Sequence, residues 1–120
     1  MPPCWINSVS KKSEYIFDIA LTSSGLKVYD RKLKHRREDQ AKLPIQDITF
    51  LASVPLKRFQ DETLPLFEWS KANECRFYVR VFDQTGRTEK LIYKRHLEAV
   101  EGHFYKLEVK DPGIRPGERP

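Results

Sequence analysis

The sequence predicts a mainly β domain with a minor α part. The expected architecture is a small antiparallel sandwich or partly open barrel. It is built of two hairpins plus additional strands and closed by one C-terminal helix. Three observations predict it. Apolar residues alternate with period two in several short stretches, the mark of half-buried strands. Gly, Pro and Ser/Thr clusters bound those stretches, as turns require. One late stretch instead spaces its apolar residues by three and four, a helical stripe.

Residues 1–13 are polar with Pro2 and Pro3 and read as an arm, with only Trp5 and Ile6 able to anchor it. Residues 14–21 alternate, placing Tyr15, Phe17, Ile19 and Leu21 on one side of a strand. Thr22-Ser23-Ser24-Gly25 turns the chain, and residues 26–30 return as a second strand, which makes a hairpin. Residues 45–54 read as a third strand through Ile48, Phe50, Ala52 and Val54, bracketed by Pro44 and Pro55. Residues 56–74 are long and irregular, with a short edge strand over 66–70 as the alternative. Residues 75–82 alternate again: Phe77, Val79 and Val81 face one way, Tyr78, Arg80 and Phe82 the other. After the turn Asp83-Gln84-Thr85-Gly86, residues 88–95 return as a strand, giving a second hairpin. Over 96–109, Leu97, Val100, Phe104 and Leu107 form the helical stripe. A final strand over 102–110 is the competing reading, because Gly102 weakens a helix by about 1 kcal/mol. Residues 111–120 hold three prolines and two glycines and read as a disordered tail. The single folded domain therefore spans 14–110.

Composition bounds the function. With 120 residues the chain makes one domain. Leu, Ile, Val and Phe number 32, above the roughly 20% below which chains stay disordered. No apolar run approaches the roughly 18 residues of a membrane span. No charged flank precedes an apolar stretch at the start, so no signal peptide is visible and a cytoplasmic location is expected. These facts exclude a transporter, a multidomain enzyme and an unfolded tail. Cys4 and Cys75 lack the spacing of a metal pair. Free thiols in a reducing compartment are expected, with one disulfide as the alternative.

The charge is local. Residues 1–60 hold 11 basic and 6 acidic side chains, and residues 61–120 hold 11 of each. The whole formal charge of +5 can be assigned to residues 27–37, where Lys27, Arg31, Lys32, Lys34, Arg36 and Arg37 face one acid, Asp30. Clustered ammonium and guanidinium groups neutralise phosphate, and Arg does so bidentately. These six are the candidate anion-binding residues. The bland alternative is a solvated loop that blunts a sheet edge. A second candidate surface, for protein contact, is the apolar cluster Leu64, Leu66, Phe67 and Trp69. No nucleophile motif, phosphate-cradling Gly loop, metal-ligand spacing or dinucleotide fingerprint appears. Nothing therefore argues for catalysis, a metal or a cofactor.

The order of these elements resembles the phosphotyrosine-binding branch of the pleckstrin-homology-like superfamily. The residues concerned are Gly25-Leu26-Lys27-Val28-Tyr29-Asp30, then Ile48-Thr49-Phe50-Leu51-Ala52, then Arg76-Phe77-Tyr78-Val79-Arg80 and Leu91-Ile92-Tyr93. Lys32-x-Lys34-x-Arg36 is similar to the basic pattern such domains place in an early hairpin loop for inositol phosphates. The resemblance implies a non-catalytic adaptor that recognises a protein or peptide through segment 27–37 and a sheet edge, with anionic lipid or inositol phosphate as a further ligand. A nucleic-acid-binding β module using the same cations is the second expectation. A small oligomer-forming or inhibitor protein, binding through residues 64–69, is the third.

Overall fold

A computed structural model describes residues 1–118; residues 119 and 120, the end of the expected tail, lie outside the described residues. Five strands form one open mixed sheet: β1 Tyr15–Thr22, β2 Leu26–Asp30, β3 Ser53–Val54, β4 Tyr78–Gln84 and β5 Tyr105–Val109. The order across the sheet is β3-β2-β1-β4-β5. Strand β2 is antiparallel to β1 and β3, whereas β1, β4 and β5 run parallel. Three helices complete the fold: α1 Arg37–Ala41, α2 Leu56–Ala72 and α3 Lys90–His103. The antiparallel hairpin and a substantial sheet are present. The sheet is not closed, and helices are as prominent as strands.

The first hairpin forms where the alternation placed it. Leu21 pairs with Leu26 across the turn. Gly25 is required there by space, because a Cβ at this position would lie 1.9 Å from the Val54 carbonyl oxygen. Strand β4 also follows its alternation, with Val79 and Val81 buried in the core.

Four expected elements differ. Residues 45–54 are not a strand: Leu51 has φ 65°, which breaks extended backbone, and only Ser53–Val54 ladders with β2. Leu43 and Ile48 pin the loop instead. Residues 56–74 are neither loop nor edge strand but mostly helix α2. Its buried stripe is Phe59, Thr63, Leu66 and Ser70, at helical spacing. Two of those four are hydroxyl residues, and they bond back to the helix: Thr63 Oγ1 donates to the Phe59 carbonyl at 2.9 Å and Ser70 Oγ to that of Phe67 at 2.7 Å. Residues 88–95 do not return as a hairpin strand; α3 begins at Lys90 and buries His96, Ala99 and Val100. The two readings of 96–109 are each half right, since α3 runs to His103 and β5 follows at once. With helix α3 between them, β4 and β5 become parallel neighbours, as such crossovers dictate.

The core gathers Phe17, Ile19, Leu21, Leu26, Val28, Val79 and Val81 from the strands with Phe59 and Leu66 from α2 and Val100 from α3. Strand alternation turns Asp18, Ala20, Arg80 and Phe82 to the opposite face. The arm is held by Trp5, which is buried and edge-on to Phe77 at 5.4 Å between centroids. Cys4 and Cys75 form a disulfide rather than free thiols. It ties the arm to the approach to β4, beside backbone bonds between Cys4 and Arg76 and between Arg76 and Pro2. No described helix is long and apolar enough to cross a membrane.

Candidate functional site

The six cations of residues 27–37 divide into four settings. Arg31 turns inward. It lies past the end of β2 on the face that carries Asp18, which is fully buried in mid-β1. Arg80, the direct β4 partner of Asp18, forks onto the same carboxylate. Its Nε and Nη2 reach the two oxygens at 2.7 Å each, and Arg31 Nη1 lies 3.2 Å from both. Two guanidiniums thus share one carboxylate. Residues 115–118 close over them. The Glu118 amide donates to the Arg115 carbonyl at 3.1 Å, and Pro116-Gly117, with Gly117 at φ 80°, fits a type II turn. The Gly117 amide donates to Asp18 Oδ2 at 2.7 Å, and the Glu118 carbonyl accepts from Arg80 Nη2 at 3.0 Å.

Arg36 is a clamp. Its Nε donates to Glu14 at 2.7 Å, Nη1 to Asp39 at 2.9 Å and Nη2 to the Ile6 carbonyl at 3.0 Å, and its guanidinium lies 5.2 Å from the Trp5 ring. His35 joins the same Glu14 carboxylate. Burial pushes the Glu14 carboxyl up, but the bonds from Arg36, His35 and Asn7 outweigh it and hold the group below the usual range. Lys27 leans over the Tyr29 ring at 5.2 Å.

Lys32, Lys34 and Arg37 converge on a cleft of about 450 Å³ between the end of β2 and α1. Leu33, Ala41 and Ile45 supply its apolar lining, and Asp30, Gln40 and Gln46 its polar lining. Leu33 and Ile45 also pack on the core, so the wall is firm. Asp30 is engaged: Gln40 Nε2 donates to it at 2.9 Å and so does the Lys32 amide. Lys34 and Arg37 are exposed and make no ion pair among the described residues. The short 3-10 turn Lys34–Arg36 running into α1 brings these two side chains to one rim.

The second candidate set does not form one exposed surface. Leu66 is buried in α2, and Trp69 stacks on Phe77 at 5.8 Å. Phe67 stacks on His103 at 4.7 Å, beneath Lys71 and Arg76. Leu64 alone stands out, at 41% exposure.

The sequence alternation places Asp18 and Arg80 on strand faces but does not pair them. A signal for them existed: each is a lone charge amid apolar strand residues, Ile16-Phe17-Asp18-Ile19-Ala20 and Tyr78-Val79-Arg80-Val81-Phe82. Buried charges seek partners, so two such strands predict each other as neighbours. Comparison with protein-family models, curated proteins and solved structures finds no match to this chain.

Proposed function

We propose that this chain is a non-catalytic binding module that holds an acidic segment of a protein partner in the cleft between β2 and α1. One observation carries the reading. Two exposed cations without ion pairs, Lys34 and Arg37, rim a cleft walled by Leu33, Ala41 and Ile45. A carboxylate or phosphorylated side chain suits the rim, and an apolar neighbour suits the wall. Among the described residues no aromatic side chain lines the cleft, so it offers no stacking platform for bases. That favours a peptide over nucleic acid. The nearby sheet margin supports the same choice. Strand β3 covers β2 only at Leu26 and Lys27, with one further bridge at Val28. Beyond Val28, the margin of β2 leading to the cleft has no ladder partner among the described residues, and an extended peptide adds at such an edge.

The probe is a fluorescein-labelled peptide alternating glutamate and leucine, titrated by anisotropy. Lys34→Glu with Arg37→Glu is expected to weaken binding by about tenfold or more with an unchanged melting temperature. The wild-type affinity should fall with salt. Unchanged affinity in the double variant, or capture of a single-stranded oligonucleotide in preference to the peptide, overturns the assignment.

A further inference from the structure

A second charged cleft arises where the linear charge count gives no hint of one. Residues 61–120 carry equal numbers of acids and bases, but folding sorts them. Asp61 pairs with Lys57, and Glu62 with Arg58. Glu101 and Glu108 both take Lys106. Glu89 accepts from Ser23 Oγ at 2.6 Å and from the Gly86 amide at 2.5 Å. Among the described cations that make no ion pair, four stand together. Arg87 stands on the loop after β4, Lys90 and Lys94 on the first turns of α3, and Lys110 just past β5. All four are exposed, and none makes an ion pair among the described residues.

These four line one cleft of about 510 Å³, together with Asp83, Thr85, Gly86 and Tyr93. Three separate elements contribute, so the clustering belongs to the fold and not to a run in sequence. The cleft opens at the carboxyl ends of the parallel strands β4 and β5, the end at which open α/β sheets receive ligands. Its one carboxylate is turned into the loop: Asp83 Oδ1 accepts from the Thr85 amide at 3.0 Å and from Thr85 Oγ1 at 2.6 Å. Tyr93 is fixed by donating its hydroxyl to Glu108, and that contact together with burial pushes the phenol up to about 12. Lys90 and Lys94 are one helical turn apart, a like-charge spacing that is unfavourable on a helix. A bound anion relieves that repulsion.

We infer that this cleft is a binding site for an oligophosphate group. Four cations against one carboxylate exceed what a single carboxylate ligand would balance. The volume lies within the range of small-molecule sites, about 300–1,000 Å³, and is larger than one phosphate requires. This site is distinct from the peptide cleft and shares no lining residue with it.

The test is calorimetric titration of the full chain with sodium tripolyphosphate. Saturable binding is expected. Lys90→Glu with Lys94→Glu should weaken it by about tenfold or more, whereas Lys34→Glu with Arg37→Glu should leave it unchanged. Arg87→Gln with Lys110→Gln, both outside helices, should weaken it as well; this pair decides the matter if the helix variant melts early. No binding to the wild type, or binding indifferent to both cleft variants, overturns the site. Loss of binding on changing Lys34 and Arg37 moves the anion to the other cleft and equally overturns it. Displacement of tripolyphosphate by ATP or by inositol hexakisphosphate supports the site and separates a nucleotide source from an inositol one. Displacement by neither overturns the assignment to an oligophosphate.

Discussion

Replacing Asp18 by Asn tests the buried charge cluster most directly. The side chain keeps its shape but loses its charge. Asp18 is fully buried and accepts from Arg80, from Arg31 and from the Gly117 amide. The neutral amide leaves two guanidiniums, with side chains 5% and 10% exposed, without a counter-charge. Stranding a buried charge in this way costs about 3–5 kcal/mol, a large part of the roughly 5–15 kcal/mol that holds a domain folded. For a chain of this size the melting temperature should fall by about 10–20 °C. The assay is urea unfolding followed by tryptophan fluorescence, since Trp5 sits in the core, with thermal unfolding by circular dichroism beside it. A companion variant separates pairing from packing. Asp18→Leu with Arg31→Met and Arg80→Met removes all three charges together. Exchanging a buried ion cluster for apolar groups is often neutral, or stabilising by about 1–4 kcal/mol, so this variant should be markedly more stable than Asp18→Asn. If Asp18→Asn melts within about 2 °C of the wild type, or the triple variant is as unstable as the single one, the cluster is not held by charge pairing and the reasoning fails.

Two glycines should respond with opposite signs to the same substitution. Gly25→Ala drives a methyl into the Val54 carbonyl and should cost about 1–3 kcal/mol, as overpacking does. Gly102→Ala meets nothing within 4 Å and should stabilise α3 by about 0.5–1 kcal/mol. Urea midpoints that move in the same direction refute this pair. Acidification should destabilise the fold in two stages. Burial lowers the His96 and His103 imidazoles below their ordinary 6.5, and the Arg76 and Lys71 charges lower His103 further. The unfolded chain therefore takes up these protons first. Their contribution is complete above about pH 6.5 and declines as the pH falls through the folded values. Glu14, which is held below its ordinary 4.5, contributes above that value and is lost as the pH falls through its lower folded one. Urea midpoints measured between about pH 7 and 3 should fall throughout, and His96→Gln with His103→Gln should flatten only the upper part.

The legible elements were those whose local pattern matched their tertiary setting. Strand β1 alternates, turns at a serine pair and pairs with its sequence neighbour, so pattern and partner coincide. Strand β4 was equally clear as a strand, but its partner was not. Its neighbours β1 and β5 run parallel to it, and a parallel partner lies a crossover away where no turn signal announces it. Helix α2 was hidden by its own composition. Thr63 and Ser70 occupy core positions that a hydropathy stripe expects to be apolar, and Pro65 sits inside the helix. Alternation through Leu91 and Tyr93 imitated a strand. In α3 the first is exposed and the second packs on the core.

The site shows the same limit in electrostatic form. Counting charges along the chain located the basic segment, and three of its cations, Lys32, Lys34 and Arg37, do line a cleft. Counting could not tell that Arg31 and Arg36 are engaged inside the molecule, because their partners, Asp18 and Glu14, belong to β1 and the residue before it. The same count treats residues 61–120 as neutral, whereas pairing there removes acids faster than bases and leaves Arg87, Lys90, Lys94 and Lys110 together. Net charge is conserved on folding, but its distribution follows from which opposite charges become neighbours. A partner meets only the remainder. Among the described residues that remainder includes two cationic clefts: one beside an apolar wall at β2, the other at the carboxyl ends of β4 and β5. Their different linings are the physical reason to expect two kinds of anion.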